Sequence, residues 1–412
     1  MPSPSDTHSS LARKPSLYTL VAISMVAPAG INIIAPSMPA FVAVFETDYG
    51  TVQLTLSLFL VAIAVAQLII GPLSDFFGRR PVVLYGMLLS LLGSMMCISA
   101  STIEVFILGR IVQGIGACAG IVLARTIVRD LFERERAASM IGYVTMSMAV
   151  APMIVPLIGG ALQEYIAWWG SSVFMLLFTF AVFLVALKDL YETNPYLGQR
   201  TTAKTLARHY AHLISDKRFV AFTATNAFSS AVYFTFMGGA PLVSSAVLDL
   251  SPIGYGSYFI LVAVGYSVGN FLSGRFSERV GVVWMIISGC VLNLVGVLVV
   301  AALFAVGLSH PFSLFLPMLL TSVANGMTLP STIAGAISIR PDLAGDSEGL
   351  IGFAQIGGAA VAATLTEEWI DRDLSVWPMV IVMFVASAVA LMVSFHVRKL
   401  ESAHAKSGHA IA

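Results

Sequence analysis

Gly71-Pro72-Leu73-Ser74-Asp75-Phe76-Phe77-Gly78-Arg79-Arg80-Pro81 ends one long apolar run and begins the next. The segment Gly274-Arg275-Phe276-Ser277-Glu278-Arg279-Val280-Gly281 stands 203 residues later, again between two apolar runs. Glycine, serine, an acid and glycine fall at matching offsets in both. Glycines permit a tight turn, and a charged turn between runs of about twenty apolar residues marks a membrane surface. Recurrence at the same place in each part of the chain implies two structural repeats joined in the middle, a transporter architecture.

Working outward, 58% of the 412 residues are hydrophobic and only 11% are charged, with a mean hydropathy of +0.89. Soluble domains carry about 25% charged residues. The composition therefore excludes a soluble enzyme, a nucleic-acid binder and a disordered protein. Twelve apolar runs meet the length of a span: 17–42, 51–74, 82–101, 105–128, 137–160, 166–187, 219–246, 254–276, 282–306, 312–335, 349–366 and 375–396. Strands are excluded because outer-membrane barrels alternate over segments of about ten residues instead of forming solid runs. The expected fold class is an all-α polytopic membrane protein with twelve transmembrane helices in two six-helix pseudo-repeats. An N-terminal segment covers 1–16 and the first six-helix half 17–187. A polar linker at 188–218 leads to the second half at 219–396 and a tail at 397–412.

Lysine and arginine set the orientation. Arg13, Lys14, Arg79, Arg80, Arg129, Arg134 and Arg136 fall at the N-terminus and in the second and fourth loops. The linker holds Lys188, Arg200, Lys204, Arg208, Lys217 and Arg218, and the tail Arg398, Lys399 and Lys406. The intervening loops carry acids such as Glu46, Asp48, Glu104, Glu164 and Asp249, and one base, Arg372. Both termini and the linker are expected in the cytoplasm. Cys97, Cys118 and Cys290 sit inside apolar runs with no pairing or metal-ligand spacing, and the histidines fall in loops and at ends. No phosphate-binding GxxxxGK[ST] loop and no nucleophile–base cluster is present. Neither an ATP-driven pump, an enzyme nor a resident cofactor is expected.

Charge inside a span is informative, because it costs at least about 2.5–3.5 kcal/mol and so faces a cavity or a partner. Arg110 is such a residue, and Gln113, one turn on, is placed to hold its head or to meet substrate. Arg125 follows fifteen residues later, about 60° around the helix from Arg110. It either lines the same face or pairs with Asp130 or a lipid headgroup. Pro152 and Pro156 remove backbone donors and Gly159 and Gly160 loosen the fifth span, so it should bend. No acid lies near the middle of any span. Asn32, Gln113, Met146, Asn226, Tyr233, Phe236, Tyr266 and Gln355, with Met148, Tyr258 and Asn270, are the candidates for a mostly apolar substrate cavity.

Five segments carry a family resemblance. The Gly71–Pro81 turn resembles the cytoplasmic loop of the major facilitator superfamily. Leu108-Gly109-Arg110-Ile111-Val112-Gln113-Gly114-Ile115-Gly116-Ala117 resembles that family's intramembrane arginine motif. Ala151-Pro152-Met153-Ile154-Val155-Pro156-Leu157-Ile158-Gly159-Gly160 is similar to the antiporter motif of drug exporters, with Val155 where glycine is usual. Pro36-Ser37-Met38-Pro39 and Ala124-Arg125-Thr126-Ile127-Val128-Arg129-Asp130-Leu131-Phe132 resemble the Bcr/CflA multidrug-efflux branch. The resemblance implies a multi-pass transporter of the inner membrane, acting as a monomer on small molecules and protons by drug:proton antiport. It implies that Arg110 tunes coupling, that Asp75, Arg79 and Arg80 latch one closed arrangement, and that Pro152, Pro156, Gly159 and Gly160 limit leak. Relatives carry an aspartate in span one where this chain has Asn32, which takes up no proton. Coupling then runs through another acid (Asp130, Asp75, Glu46 or Asp48), or the substrate carries the charge, or coupling is weak. An exporter dedicated to one anionic or zwitterionic metabolite is the alternative.

Overall fold

The computed structural model describes residues 15–132, 134–194, 203–340, 343–370 and 375–409, and among these residues the secondary structure is helical throughout. In chain order the helices are α1 (Leu17–Asn32), α2 (Met38–Val44), α3 (Tyr49–Phe77), α4 (Arg79–Ile98), α5 (Ile103–Leu131), α6 (Arg134–Tyr165) and α7 (Gly170–Asp189). They continue with α8 (Ala203–Ser215), α9 (Lys217–Ala246), α10 (Pro252–Val280), α11 (Val282–Ala305), α12 (Pro311–Ile339), α13 (Ala344–Ile370) and α14 (Trp377–His409).

Side-chain oxygens start several of them. Ser16, Asp48, Asp216 and Ser251 accept from the first-turn amides of α1, α3, α9 and α10, satisfying donors that have no partner inside the helix. With α1 and α2 taken as one broken crossing, ten helical segments among the described residues are long and apolar enough to cross a membrane. In length α6 and α9 match them, with 32 and 30 residues. Thr225, Asn226, Ser229, Ser230 and Thr235 are polar groups buried within α9.

Two expectations are corrected. Span one is not a single helix over 17–42. It stops at Asn32, passes through a 3-10 turn at Ala35–Ser37, and resumes as α2. Pro36 and Pro39 have no N–H to continue the ladder, which forces the break. The linker also contains a helix, α8, where a polar loop was expected. The spacing of Leu206, Tyr210 and Leu213 puts apolar groups on one face, and Leu213 is fully buried where α8 packs on α9 and α13.

The packing follows one pattern twice. In the first set α4 lies on α5 and α7, α3 on α5, and α1 on α5, α6 and α7. In the second, α11 lies on α12 and α14, α10 on α12, and α9 on α12, α13 and α14. Contact between the sets runs through α3 with α13 and α6 with α10. The turns singled out by sequence match as well. Gly78 (φ 99°) and Gly281 (φ 87°) both adopt left-handed backbone, and their N–H groups donate to Ser74 and Ser277 carbonyls. Only the first turn has arginines directly after its second glycine; Val282 and Val283 stand where Arg79 and Arg80 do. Exposed Leu88, Leu92, Met95, Leu177 and Phe180 give the outer surface an apolar face, as lipid contact requires.

Candidate transport site

Arg110 is the largest fully buried side chain, 1% exposed. Its Nη2 donates to the Gly30 carbonyl at 2.8 Å and its Nε to the Thr55 carbonyl at 3.3 Å. Its Nη1 donates to Gln113 Oε1, and the guanidinium lies 3.9 Å above the Phe59 ring. Gln113 in turn donates to Ser94 at 2.7 Å. No carboxylate among the described residues pairs with it. The break in span one explains how a buried cation is tolerated. Ending α1 at Asn32 leaves its last carbonyls without helical partners, and the negative end of the helix dipole favours a cation there. The proline pair and the arginine thus form one device.

Asn32 stands at the same break. Its amide donates to the Pro28 carbonyl at 2.7 Å, while its Oδ1 accepts from Tyr233 of α9 at 3.2 Å. The bond joins the two helix sets. Further toward the end where α3 begins, Tyr49 and Gln53 both donate to the Gly238 carbonyl, at 3.0 and 2.9 Å. The Pro152–Gly160 segment completes this seam. A Cβ on Gly159 would meet the Ile33 carbonyl at 2.2 Å, and one on Gly160 would meet the Pro252 carbonyl at 2.3 Å. Reciprocally, a Cβ on Gly256 of α10 would meet the Pro156 carbonyl at 2.6 Å. The paired glycines let α6 lie backbone to backbone on α1 and on α10.

Charged groups gather at the opposite end. Arg79 Nη1 donates to Asp75 and to Ser74 at 2.5 Å each, and Nε to Asp130 at 3.0 Å. Glu192 accepts from the Arg79 and Arg80 backbone amides at 2.9 and 3.2 Å. Arg80 itself donates to the Leu190 and Leu187 carbonyls, at 2.6 and 3.1 Å. This network stays inside the first helix set: it ties the ends of α3, α4, α5 and α7 together.

Among the described residues the ionic link between the sets is a different one. Glu348 of α13 pairs with Arg125, and with Arg129 Nη2 at 2.6 Å. Arg125 therefore pairs with Glu348, and Asp130 with Arg79; the Arg125–Asp130 pairing considered from sequence does not form. Sequence reasoning missed Glu348. The available signal was an acid in the first turn of a span, Asp346-Ser347-Glu348-Gly349, which reads equally as a helix-start residue. Beside it His209 of α8 bonds Asp346 at 2.7 Å.

The remaining candidates are dispersed. Asn226 donates to Thr332 at 2.8 Å and to the Leu329 carbonyl at 3.3 Å, both on α12. Phe236 is buried against Phe259 and Phe315, ring centroids 6.0 and 5.9 Å away, and Tyr258 stacks on the same Phe315. On α10 the Tyr266 carbonyl accepts from Asn270 at 2.8 Å. Gln355 is half-buried on α13, and the side chain of Met146 lies outside the described residues. Asp48 is occupied as the cap of α3, accepting from the Thr51 amide at 2.7 Å, and Glu46 occupies a left-handed turn position with φ 52°.

A buried arginine at a broken span, glycine-lined seams and charged turns all belong to one family. Its description, "Major Facilitator Superfamily", matches residues 20–363, and the chain belongs to it. It is 30% identical over 352 residues to multidrug resistance protein D of Escherichia coli, covering 85% of this chain and 87% of that protein. With a bicyclomycin resistance protein homologue of Haemophilus influenzae it shares 26% over 360 residues, 85% and 88% of the two chains. The branch is that of Bcr/CflA-type multidrug efflux. The fold matches that of a peptide transporter solved in complex with alafosfalin, with a TM-score of 0.76, 13% identity and 94% of each chain covered. This protein is an inner-membrane transporter of small molecules and not an enzyme.

Proposed function

We propose that the chain exports small, drug-like molecules in exchange for protons by alternating access. In this reading it has twelve spans in two six-helix halves, 17–187 and 219–396, with both termini and the linker at 188–218 in the cytoplasm. The twofold packing pattern supports the halves, and the names of the relatives support the substrate class.

One observation carries the mechanism: the halves are bridged at two separate levels by different chemistry. At the outer level stand Asn32–Tyr233, Tyr49 and Gln53 with Gly238, and the glycine contacts of α6 with α10. At the inner level stands Glu348 with Arg125 and Arg129. Hydrogen bonds and close backbone packing seal one side, and an ion pair seals the other, so either can part while the other holds. Arg110, tied to both the α1 break and α3, links a movement of span one to α5. The Asp75, Arg79, Arg80 and Asp130 network keeps the inner ends of the first half rigid while the ion pair opens. Pro152, Pro156, Gly159 and Gly160 limit leak along the outer seam. Substrate enters between the halves near Asn32 and Tyr233.

The test uses inverted membrane vesicles with an imposed inside-acid pH gradient, followed with a pH-sensitive dye. Lipophilic cations, neutral phenicols and organic acids are added in turn. Gradient dissipation by several unrelated compounds, absent with Arg110→Ala, is the expected result. Dissipation by none, with tracer flux of a single compound, overturns it in favour of a dedicated or uncoupled exporter.

A further inference from the structure

Arg125 and Arg129 lie one helical turn apart on the same face of α5, and both reach Glu348 of the opposite half. Two cations share one carboxylate, so the cluster keeps a net charge of about +1. The other charged groups around it are committed or lie apart. Asp130 on α5 is held by Arg79, and Asp346 of α13 by His209 of α8. Tyr210 of α8 faces Gly349, and Arg340 at the end of α12 lies against His212.

Arg125 is also incompletely used. Among the described residues Glu348 occupies its Nη1, while Nη2 meets only the Met148 sulfur, at 3.9 Å. Its Nε is enclosed and has no hydrogen-bond partner. The Nε–Nη2 edge of a guanidinium is a two-pronged donor that fits a planar acid, and here it meets no oxygen. A buried donor left without a partner costs about 1–3 kcal/mol, which a ligand oxygen relieves. The Arg125 and Glu348 side chains are 23% and 22% exposed, so solution reaches the cluster even while it is closed.

We propose that Arg125 and Arg129 form a cytoplasm-facing anion site, and that Glu348 occupies part of it as an internal stand-in for the acidic group of a substrate. This rests on the exporter reading and names a substrate class within it: amphipathic organic acids, with a carboxylate for the guanidiniums and an apolar body for the Met148 side. When the inner ends part, Glu348 withdraws with α13 and both arginines remain on α5 without a counter-charge. An organic anion from the cytoplasm takes their donors. On closing, Glu348 returns to the same donors and displaces the anion inward, between the halves. One carboxylate replaces another on the arginines, so their net charge stays at about +1 in both states.

Binding of radiolabelled salicylate to the purified full-length carrier in nanodiscs tests this. Glu348→Gln vacates the arginines, so salicylate affinity rises by about tenfold, as expected for a freed charge-assisted hydrogen bond. A gain of affinity does not arise from misfolding. Arg125→Gln/Arg129→Gln lowers affinity below that of the parent, and adding Glu348→Gln to that pair restores nothing. Unchanged affinity in Glu348→Gln, or a gain that survives in the triple variant, overturns the proposal. Gradient dissipation by neutral or cationic compounds in the parent carrier separates the two failures. If it persists, the exporter reading stands and only the anion site falls; if no compound moves, both fall.

Discussion

Gly160→Ala is a small change with a calculable consequence. Its Cβ would lie 2.3 Å from the Pro252 carbonyl oxygen, 2.7 Å from the carbonyl carbon and 2.9 Å from Ile253 Cα. All three are backbone atoms, so no side chain can swing away. Ordinary contact begins near 3.4 Å, and α6 and α10 must therefore separate by about 1 Å in a seam packed to interior density. Overpacking of this kind costs about 1–3 kcal/mol. Only the state with the outer seam closed bears that cost, so its population falls by about 5- to 150-fold relative to outward-open states. Ser244 reports the seam: it is 1% exposed and lies at a cleft between the halves with Pro36, Pro39, Pro252 and Tyr255. In a Ser244→Cys background, Gly160→Ala should raise labelling by an impermeant maleimide from outside at least about fivefold, and proton leak should rise with it. Gly71→Ala is the control, since nothing lies within 4 Å of its added Cβ. An unchanged labelling rate in Gly160→Ala would refute the assignment of this segment to the outer seal.

Two further outcomes follow from the contacts. Asn32 donates to the Pro28 carbonyl and accepts from Tyr233. A neutral carboxylic acid reproduces both bonds, whereas a carboxylate reproduces only the second. Asn32→Asp should therefore be protonated while the seam is closed and release its proton on opening, giving steeper pH-driven transport in vesicles; an unaltered pH profile contradicts this. Arg79→Gln leaves Asp75 and the largely buried Asp130 without their cation, which should cost about 2 kcal/mol after allowance for exposure. In detergent its unfolding midpoint should fall by about 2 °C for a chain of 412 residues, and Arg79→Gln/Asp130→Asn should recover part of the loss. An unchanged midpoint would contradict the network.

The apolar runs, the charge asymmetry and the two glycine turns were legible in the sequence because membrane burial imposes them locally. The pairing of Arg110 with Gln113 was equally legible, since helical spacing puts the two one turn apart. The meaning of Pro36 and Pro39 was not. Their effect on the Gly30 carbonyl shows only once α5 lies beside α1. Glu348 was hidden for a similar reason, as its partners stand 223 and 219 residues earlier in the chain and no local pattern links them. For α9 the sequence could not separate substrate-facing from packing residues. Asn226 and Phe236 turn into the second half, whereas Tyr233 turns toward the first, a distinction made by helix orientation alone. In α8, the six basic residues of the linker masked a short apolar stripe.

The central claim is that the inner bridge must open for transport to occur, and a reversible lock tests it most directly. Arg129→Cys/Glu348→Cys carriers are bridged across α5 and α13 with a cleavable bifunctional thiol reagent, and substrate flux is measured in proteoliposomes. Alternating access predicts that bridging abolishes flux, that cleavage restores the unbridged rate, and that Ser244→Cys stays reactive from outside throughout. Flux that continues at the unbridged rate with the inner ends locked would contradict the account.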